Sequence, residues 1–123
     1  MKASKQISTR FVVIGSGPGG YAAAFRLADL TRKESSGSRD QNIVLVEMDA
    51  FGGTCLNVGC IPSKAYLHMA EIKNSVDEAA AHGISFGKAT IDREKLLESK
   101  NNVVGQLSKG LEGLAKQRKV KVC

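Results

Sequence analysis

The sequence predicts an α/β fold built on a parallel β-sheet. Two short apolar runs rich in β-branched residues, at 11–14 and 43–46, read as buried strands. An alanine-rich segment at 21–30 between them is typical of a helix. After two further helical segments, a third strand is predicted at 120–122. Strands that alternate with helices in this way form a parallel sheet covered by helices.

The first strand leads directly into Gly15-Ser16-Gly17-Pro18-Gly19-Gly20, and the helix follows. A Gly-x-Gly-x-x-Gly turn between a strand and a helix predicts a Rossmann-type, three-layer dinucleotide-binding unit. Gly15 permits the tight turn, Gly17 lets the backbone approach a pyrophosphate, and Gly20 allows the helix to pack closely. The helix N-terminus offers N–H groups to phosphate. A purely structural glycine turn is the alternative.

The second strand ends in the carboxylate of Glu47. An acid at this place in a Rossmann unit binds the hydroxyls of the adenosine ribose. Glu47 lies farther from the glycines than the usual spacing of about 20 residues. The polar segment 31–42, which we predict to be an exposed loop, accounts for the excess. The alternative for Glu47 is an ordinary surface acid.

Two of the three cysteines, Cys55 and Cys60, lie in the segment 52–64. Two thiols this close can form a disulfide or ligate a metal. In a regular helix their Cα atoms would be about 7.5 Å apart, more than the about 7 Å that a disulfide tolerates. A bridge therefore requires an irregular backbone, which Asn57 and Gly59 permit. A metal would need more ligands, and His68, His82 and Cys123 match no zinc spacing.

Two helices complete the predicted fold. The first covers 64–81 and stops at His82-Gly83, with a connector at 83–87. Asp92 is expected to cap the second helix. That helix carries an apolar stripe and ends in basic residues; the stripe comprises Leu96, Val103, Leu107, Leu111 and Leu114.

The composition bounds the class of protein. With 123 residues, 42% of them hydrophobic and 24% charged, we expect one soluble domain. The net charge is +6, and the basic run 116–121 has no interleaved aromatic residues, which favours a solvated helix end over a nucleic-acid surface. We find no apolar run of the about 18 residues that span a membrane, and no secretory signal. These observations predict a cytoplasmic location.

The thirteen residues 52–64 resemble the redox-active disulfide signature of the flavin-dependent pyridine nucleotide-disulfide oxidoreductases. Leu56, Ile61 and Ser63 favour the members that oxidise dihydrolipoyl groups over the glutathione and mercuric reductases. The resemblance covers essentially the whole chain except 31–42. It implies that residues 1–123 are the N-terminal part of an FAD-binding domain, and that the NAD-binding and dimerisation domains are absent from them.

The resemblance also implies roles for individual residues. Cys55 and Cys60 would form the redox-active disulfide, with Cys55 as the thiol that exchanges with substrate and Cys60 facing the flavin. Lys64 would lie near the flavin and favour the Cys60 thiolate. FAD would be bound by Gly15, Gly17, Pro18, Gly19, Gly20, Glu47, Gly53, Thr54 and Lys64, and no residue would bind a metal.

The activity implied for the complete protein is the oxidation of dihydrolipoyl groups through this disulfide and FAD, with NAD⁺ as acceptor. The implied partners are a second copy of the chain and a 2-oxoacid dehydrogenase complex. Because family members are several times longer, we expect that these 123 residues do not catalyse the reaction alone. Two alternatives stay open: a truncated, non-catalytic nucleotide-binding module, and a related reductase acting on glutathione or mercuric ion.

Overall fold

The computed structural model describes residues 6–32 and 43–123. The predicted loop 31–42 falls outside these residues, apart from its first two positions. Three strands and four helices are described, with a short 3₁₀ helix after the third. They are β1 (Phe11–Ile14), α1 (Pro18–Thr31), β2 (Ile43–Val46), α2 (Gly53–Asn57), α3 (Cys60–Glu78), the 3₁₀ helix (Ala79–His82), α4 (Arg93–Gln117) and β3 (Lys121–Val122).

The three strands form one parallel sheet, as the sequence predicts, and β2 lies in its centre. In the pairing of β1 with β2, Phe11 lies opposite Ile43 and Ile14 opposite Val46. The third strand is one residue shorter than predicted. Val120 is excluded because its N–H donates to the carbonyl of Ala115 at the end of α4, 3.0 Å away, instead of to β2.

The helix boundaries differ from the predictions for local reasons. The first helix includes Thr31, which we predicted to be in the loop, because its hydroxyl donates to the carbonyl of Leu27 at 2.9 Å. The third helix begins at Cys60, four residues before the predicted start, with Pro62 in its first turn, where a missing N–H breaks no helical bond. The 3₁₀ helix that extends it ends at His82, and the next residue, Gly83, has φ of 82°, which confirms the stop predicted at His82-Gly83.

The chain divides into two compact units. One comprises the described residues up to Gly53 together with Lys109–Cys123, and the other comprises Thr54–Ser108. The first unit contains the sheet and α1. The prediction of a single domain remains a prediction.

The hydrophobic core of the first unit is built on β2. Leu45 is fully buried and packs among other apolar side chains from α1, β2, the end of α4 and the segment between α4 and β3. The buried residues that α1 contributes to this core are alanines, so the helix can lie close to the sheet, and its larger apolar side chains pack against the core while partly buried. Apart from Leu45, the cluster of buried residues consists of Ala24, Ala28, Ile43, Ala115 and Val120.

The two predictions made for α4, its cap and its apolar stripe, have different outcomes. Asp92 caps α4 as predicted, because its side chain accepts a hydrogen bond from the N–H of Lys95 at 3.1 Å. The apolar stripe of α4 is not buried among the described residues. Val103, Leu107 and Leu114 remain 38–44% exposed.

Within the described residues, no helix combines the length and the apolar content that would let it cross a membrane.

Replacing Leu45 tests the core. We expect Leu45→Ala to lower the free energy of unfolding by about 2–5 kcal/mol, because a cavity replaces a side chain with no exposed surface. Leu97→Ala is the matched control, since Leu97 is 49% exposed and the same truncation there should cost about 0.5 kcal/mol or less. Urea unfolding of the 123-residue chain measures both. Equal shifts in the two variants would contradict this description of the core.

Candidate functional site

The glycine turn between β1 and α1 brings the helix against the end of the strand. Gly15 has φ of +90° and donates its N–H to the carbonyl of Val46 at 2.7 Å. A Cβ on Gly20 would lie 1.8 Å from the carbonyl oxygen of Gly15. No residue other than glycine can occupy position 20 without moving the helix. The close helix packing predicted for Gly20 is therefore present.

The outer face of this turn is bare backbone. A Cβ on Gly17 or Gly19 would meet no heavy atom within 4 Å. Gly17 is the N-cap of α1, Pro18 follows it, and the first turn of the helix contains no acidic residue. Tyr21 makes the first intrahelical bond, from its N–H to the carbonyl of Gly17 at 3.0 Å. A helix N-terminus with a bare, uncharged approach is suited to an anionic group such as phosphate.

The turn is also in contact with the segment that follows β2. Gly53 has φ of +71°, and a Cβ on it would lie 2.7 Å from the Cα of Gly17. The two backbones therefore touch at this point. Thr54, the next predicted binding residue, is exposed on α2.

Glu47 is held by four hydrogen bonds. Its Oε2 accepts the N–H of Ser16 at 2.8 Å and the hydroxyl of Ser16 at 2.5 Å. Its Oε1 accepts the N–H groups of Met48 at 2.8 Å and Asp49 at 3.0 Å. The hydroxyl of Ser16, together with these N–H groups, lowers the pKa of Glu47 from 4.5 to about 2. The carboxylate is therefore ionised and fixed beside the glycine turn.

Ser16 is a residue that the sequence analysis did not single out. Its side chain has no exposed surface, and its hydroxyl also accepts the N–H of Gly52 at 3.0 Å. The serine thus joins the glycine turn, the end of β2 and Gly52 in the segment before α2. Its partners are 31 and 36 residues away along the chain, so no local pattern indicates these contacts.

Cys55 and Cys60 form a disulfide in the second unit, with their Cα atoms 4.8 Å apart. The backbone between them is irregular, as a bridge requires: α2 ends at Asn57 and α3 begins at Cys60. A Cβ on Gly59 would lie 3.0 Å from the carbonyl oxygen of Thr54 and 3.2 Å from the Cα of Cys55. Gly59 is therefore what allows the start of α3 to come this close to α2.

The two cysteines have different surroundings. Cys60 is the first residue of α3, whose opening turn contains no acidic residue, so the helix dipole favours its thiolate after reduction. Lys64 follows one helical turn later and is exposed. Cys60 is exposed, whereas Cys55 is half-buried. Exposure therefore does not support Cys55 as the thiol that exchanges with substrate, and the helix position is the stronger argument for Cys60 as a stabilised thiolate.

The remaining candidate ligands do not come together. Among residues 6–32 and 43–123, no group of three or more histidine, cysteine or acidic side chains is arranged to hold a metal ion. His68 lies on the surface of α3, with its Nδ1 3.8 Å from Glu71 Oε2. Cys123 is an exposed free thiol whose backbone pairs with Leu45 and Glu47 at the end of the sheet.

Comparison with known proteins places this arrangement among disulfide oxidoreductases. Residues 9–123 match the family described as pyridine nucleotide-disulphide oxidoreductase. The dihydrolipoyl dehydrogenase of Vibrio cholerae is 44% identical over 97% of this chain and 23% of its own length. The enzyme of the same name from Buchnera aphidicola of Acyrthosiphon pisum is 45% identical over 97% of this chain and 24% of its own. Arabidopsis thaliana dihydrolipoyl dehydrogenase 1, mitochondrial, is 42% identical over 89% of this chain. The chain spans about a quarter of the length of such relatives.

Replacing Gly59 tests whether the close approach of the two helices permits the disulfide. In Gly59→Ala, the added methyl group must displace the Thr54 carbonyl or Cys55, so we expect a smaller oxidised fraction of the chain in a glutathione redox buffer. Gly87→Ala is the control, because a Cβ there meets nothing within 4 Å. Quantitative alkylation and mass measurement give the fraction. An unchanged oxidised fraction in Gly59→Ala would contradict this explanation.

Proposed function

This chain belongs to the pyridine nucleotide-disulphide oxidoreductase family, and from that membership we propose that it is the FAD-binding and disulfide-bearing part of a dihydrolipoyl dehydrogenase. The family is one of flavin-dependent disulfide oxidoreductases, and membership implies FAD and NAD as cofactors. The observation that carries the proposal is the Cys55–Cys60 disulfide, which ends at the first residue of α3.

The described residues fit the adenosine diphosphate half of FAD. The bare backbone at Gly17 and Gly19 and the N-terminus of α1 would receive the pyrophosphate. The ionised carboxylate of Glu47 would accept hydrogen bonds from the ribose hydroxyls. We assign no NAD contact, because the sequence has a single Gly-x-Gly-x-x-Gly turn and FAD is assigned to it. When bound, FAD supplies the two-electron acceptor for the reduced cysteine pair.

The chemistry that we assign to this chain is thiol–disulfide exchange. A thiolate of a dihydrolipoyl group attacks Sγ of Cys55, the Cys55–Cys60 bond breaks, and Cys60 leaves as a thiolate. The second dihydrolipoyl thiolate then attacks the lipoyl sulfur of the mixed disulfide. This step closes the lipoyl disulfide and releases Cys55 as a thiolate. The substrate is oxidised by two electrons and the cysteine pair is reduced by two. The N-terminus of α3 and the nearby Lys64 make Cys60 the better leaving thiolate.

For the complete protein we propose oxidation of dihydrolipoyl groups with NAD⁺ as final acceptor. We further propose a homodimer that serves a 2-oxoacid dehydrogenase complex. The support for these proposals is the activity after which the relatives are named and the match of 97% of this chain to them. The cytoplasmic location predicted from the sequence remains a prediction.

Filling the bare face of the glycine turn tests the nucleotide site. Gly17→Val should weaken binding of ADP or FAD to the 123-residue chain by about tenfold or more, because the side chain would occupy the approach to the helix N-terminus. The fold should tolerate the change, since Gly17 has φ of −64° and open space around it. Gly87→Val, at another open glycine, is the control. Unchanged affinity, measured by calorimetry, would refute the assignment of this turn.

Trapping a lipoyl adduct tests which of the two cysteines exchanges with the lipoyl group and which one leaves as the thiolate. Lipoamide is added to reduced chains that carry either Cys60→Ser or Cys55→Ser, and iodoacetamide caps the lipoyl thiol that exchange releases. Both chains also carry Cys123→Ser, because that thiol is free and exposed. We expect the lipoyl mass on Cys55 in the first chain and a smaller adduct in the second, because Cys60 is the better leaving thiolate and the released lipoyl thiol expels it again before capping. The reverse result would exchange the roles of the two cysteines, and no adduct in either chain would refute the exchange mechanism.

A further inference from the structure

The hydroxyl of Ser16 lies at the meeting point of three segments. It donates to Oε2 of Glu47 at 2.5 Å and accepts the N–H of Gly52 at 3.0 Å. The backbone N–H of Ser16 donates to the same Oε2 at 2.8 Å. The side chain has no exposed surface, so water cannot replace these bonds without a rearrangement.

The glycine turn itself does not require this hydroxyl. The helix packs closely because Gly20 lacks a side chain, and the N–H of Ser16 would still reach Glu47 if the residue were alanine. What the hydroxyl adds is a second, charge-assisted hydrogen bond to the carboxylate and an acceptor for the buried amide of Gly52. Both additions fix the orientation of Glu47.

We propose that Ser16 is a positioning residue for nucleotide binding: its hydroxyl holds the Glu47 carboxylate in the orientation that receives the ribose hydroxyls. This inference rests on the proposed function of the glycine turn and Glu47. A carboxylate held in place before the ligand arrives loses less conformational entropy on binding. Ser16 acts through Glu47 and needs no contact of its own with the nucleotide.

Ligand-free titration tests the coupling of Ser16 to Glu47 without any nucleotide. In the 123-residue chain, ¹³C NMR should show that Ser16→Ala raises the pKa of the Glu47 carboxyl from about 2 towards 4.5, because the hydroxyl is the largest cause of the lowering. The other titratable groups on the contacting segments are Asp49 on the same turn, Lys121 on β3 and the thiol of Cys123, which follows β3, and their signals are followed separately. Ser75→Ala, which removes an exposed helix hydroxyl, is the matched control. An unchanged Glu47 pKa in Ser16→Ala would overturn the proposal.

Discrimination between ADP and 2′,3′-dideoxy-ADP tests the function of the coupling. We expect the parent chain to prefer ADP by about tenfold or more, as hydrogen bonds to a charged group allow. Ser16→Ala should reduce the preference to about threefold or less, and Ser75→Ala should keep it. Adding Ser16→Ala to a chain with Glu47→Gln should change the preference no further. If Ser16 were merely structural, Ser16→Ala would weaken the binding of both nucleotides equally, in the parent chain and in the Glu47→Gln chain. That result would overturn the proposal.

Two further outcomes are decisive. Tighter ADP binding by Ser16→Ala would mean that the hydroxyl competes with the ribose for Oε2, and the proposal would be wrong. A parent chain that binds ADP without any preference would refute the ribose role of Glu47 itself, before any variant is compared.

A variant of Glu47 keeps the test informative if Ser16→Ala does not fold. In Glu47→Gln, the Ser16 hydroxyl loses its ionised acceptor and is held less firmly. The N–H of Gly52, which donates a hydrogen bond to that hydroxyl, should therefore exchange its hydrogen faster. Unchanged protection of the Gly52 amide in Glu47→Gln would overturn the proposed coupling.

Discussion

The close approach of α1 to the end of β1 at Gly20 is the constraint on which the candidate nucleotide site depends. A side chain there would overlap the carbonyl oxygen of Gly15, so the helix would have to leave the edge of the sheet. In the observed arrangement, Gly15 bonds to Val46, and Glu47 follows directly. A missing Cβ therefore brings the N-terminus of α1 and the carboxylate after β2 to the same edge of the parallel sheet.

The disulfide depends on a second missing Cβ, in the other unit of the chain. The turn at Gly59 allows a short helix to end and a long one to begin within the five residues that separate the two cysteines. It also makes Cys60 the first residue of a 19-residue helix and leaves Cys55 inside a five-residue one. The same turn that permits the bridge thus makes its two sulfurs unequal, and an unequal pair favours one direction of exchange.

The sequence predicted the parts of the fold that have local causes. The bounds of β1 and β2 follow from apolar runs with glycine or polar neighbours, and the cap at Asp92 follows from a side chain that bonds three residues ahead. The short helix α2 was not predicted, because five residues are too few to show a helical period. The role of Ser16 was not predicted either, because a bond across 31 residues leaves no trace in spacing or composition.

The charge of the candidate nucleotide site explains why the position of Glu47 matters. The chain has a net charge of +6, yet residues 15–20 contain no lysine or arginine. The phosphates of a nucleotide would therefore be received by backbone N–H groups and the helix dipole, which are fixed in direction and carry only partial charge. An ionised carboxylate close to such an anion is unfavourable unless it points to the ribose. Because Glu47 has a pKa of about 2, protonation cannot relieve that repulsion near neutral pH, and only its hydrogen bonds can direct the charge.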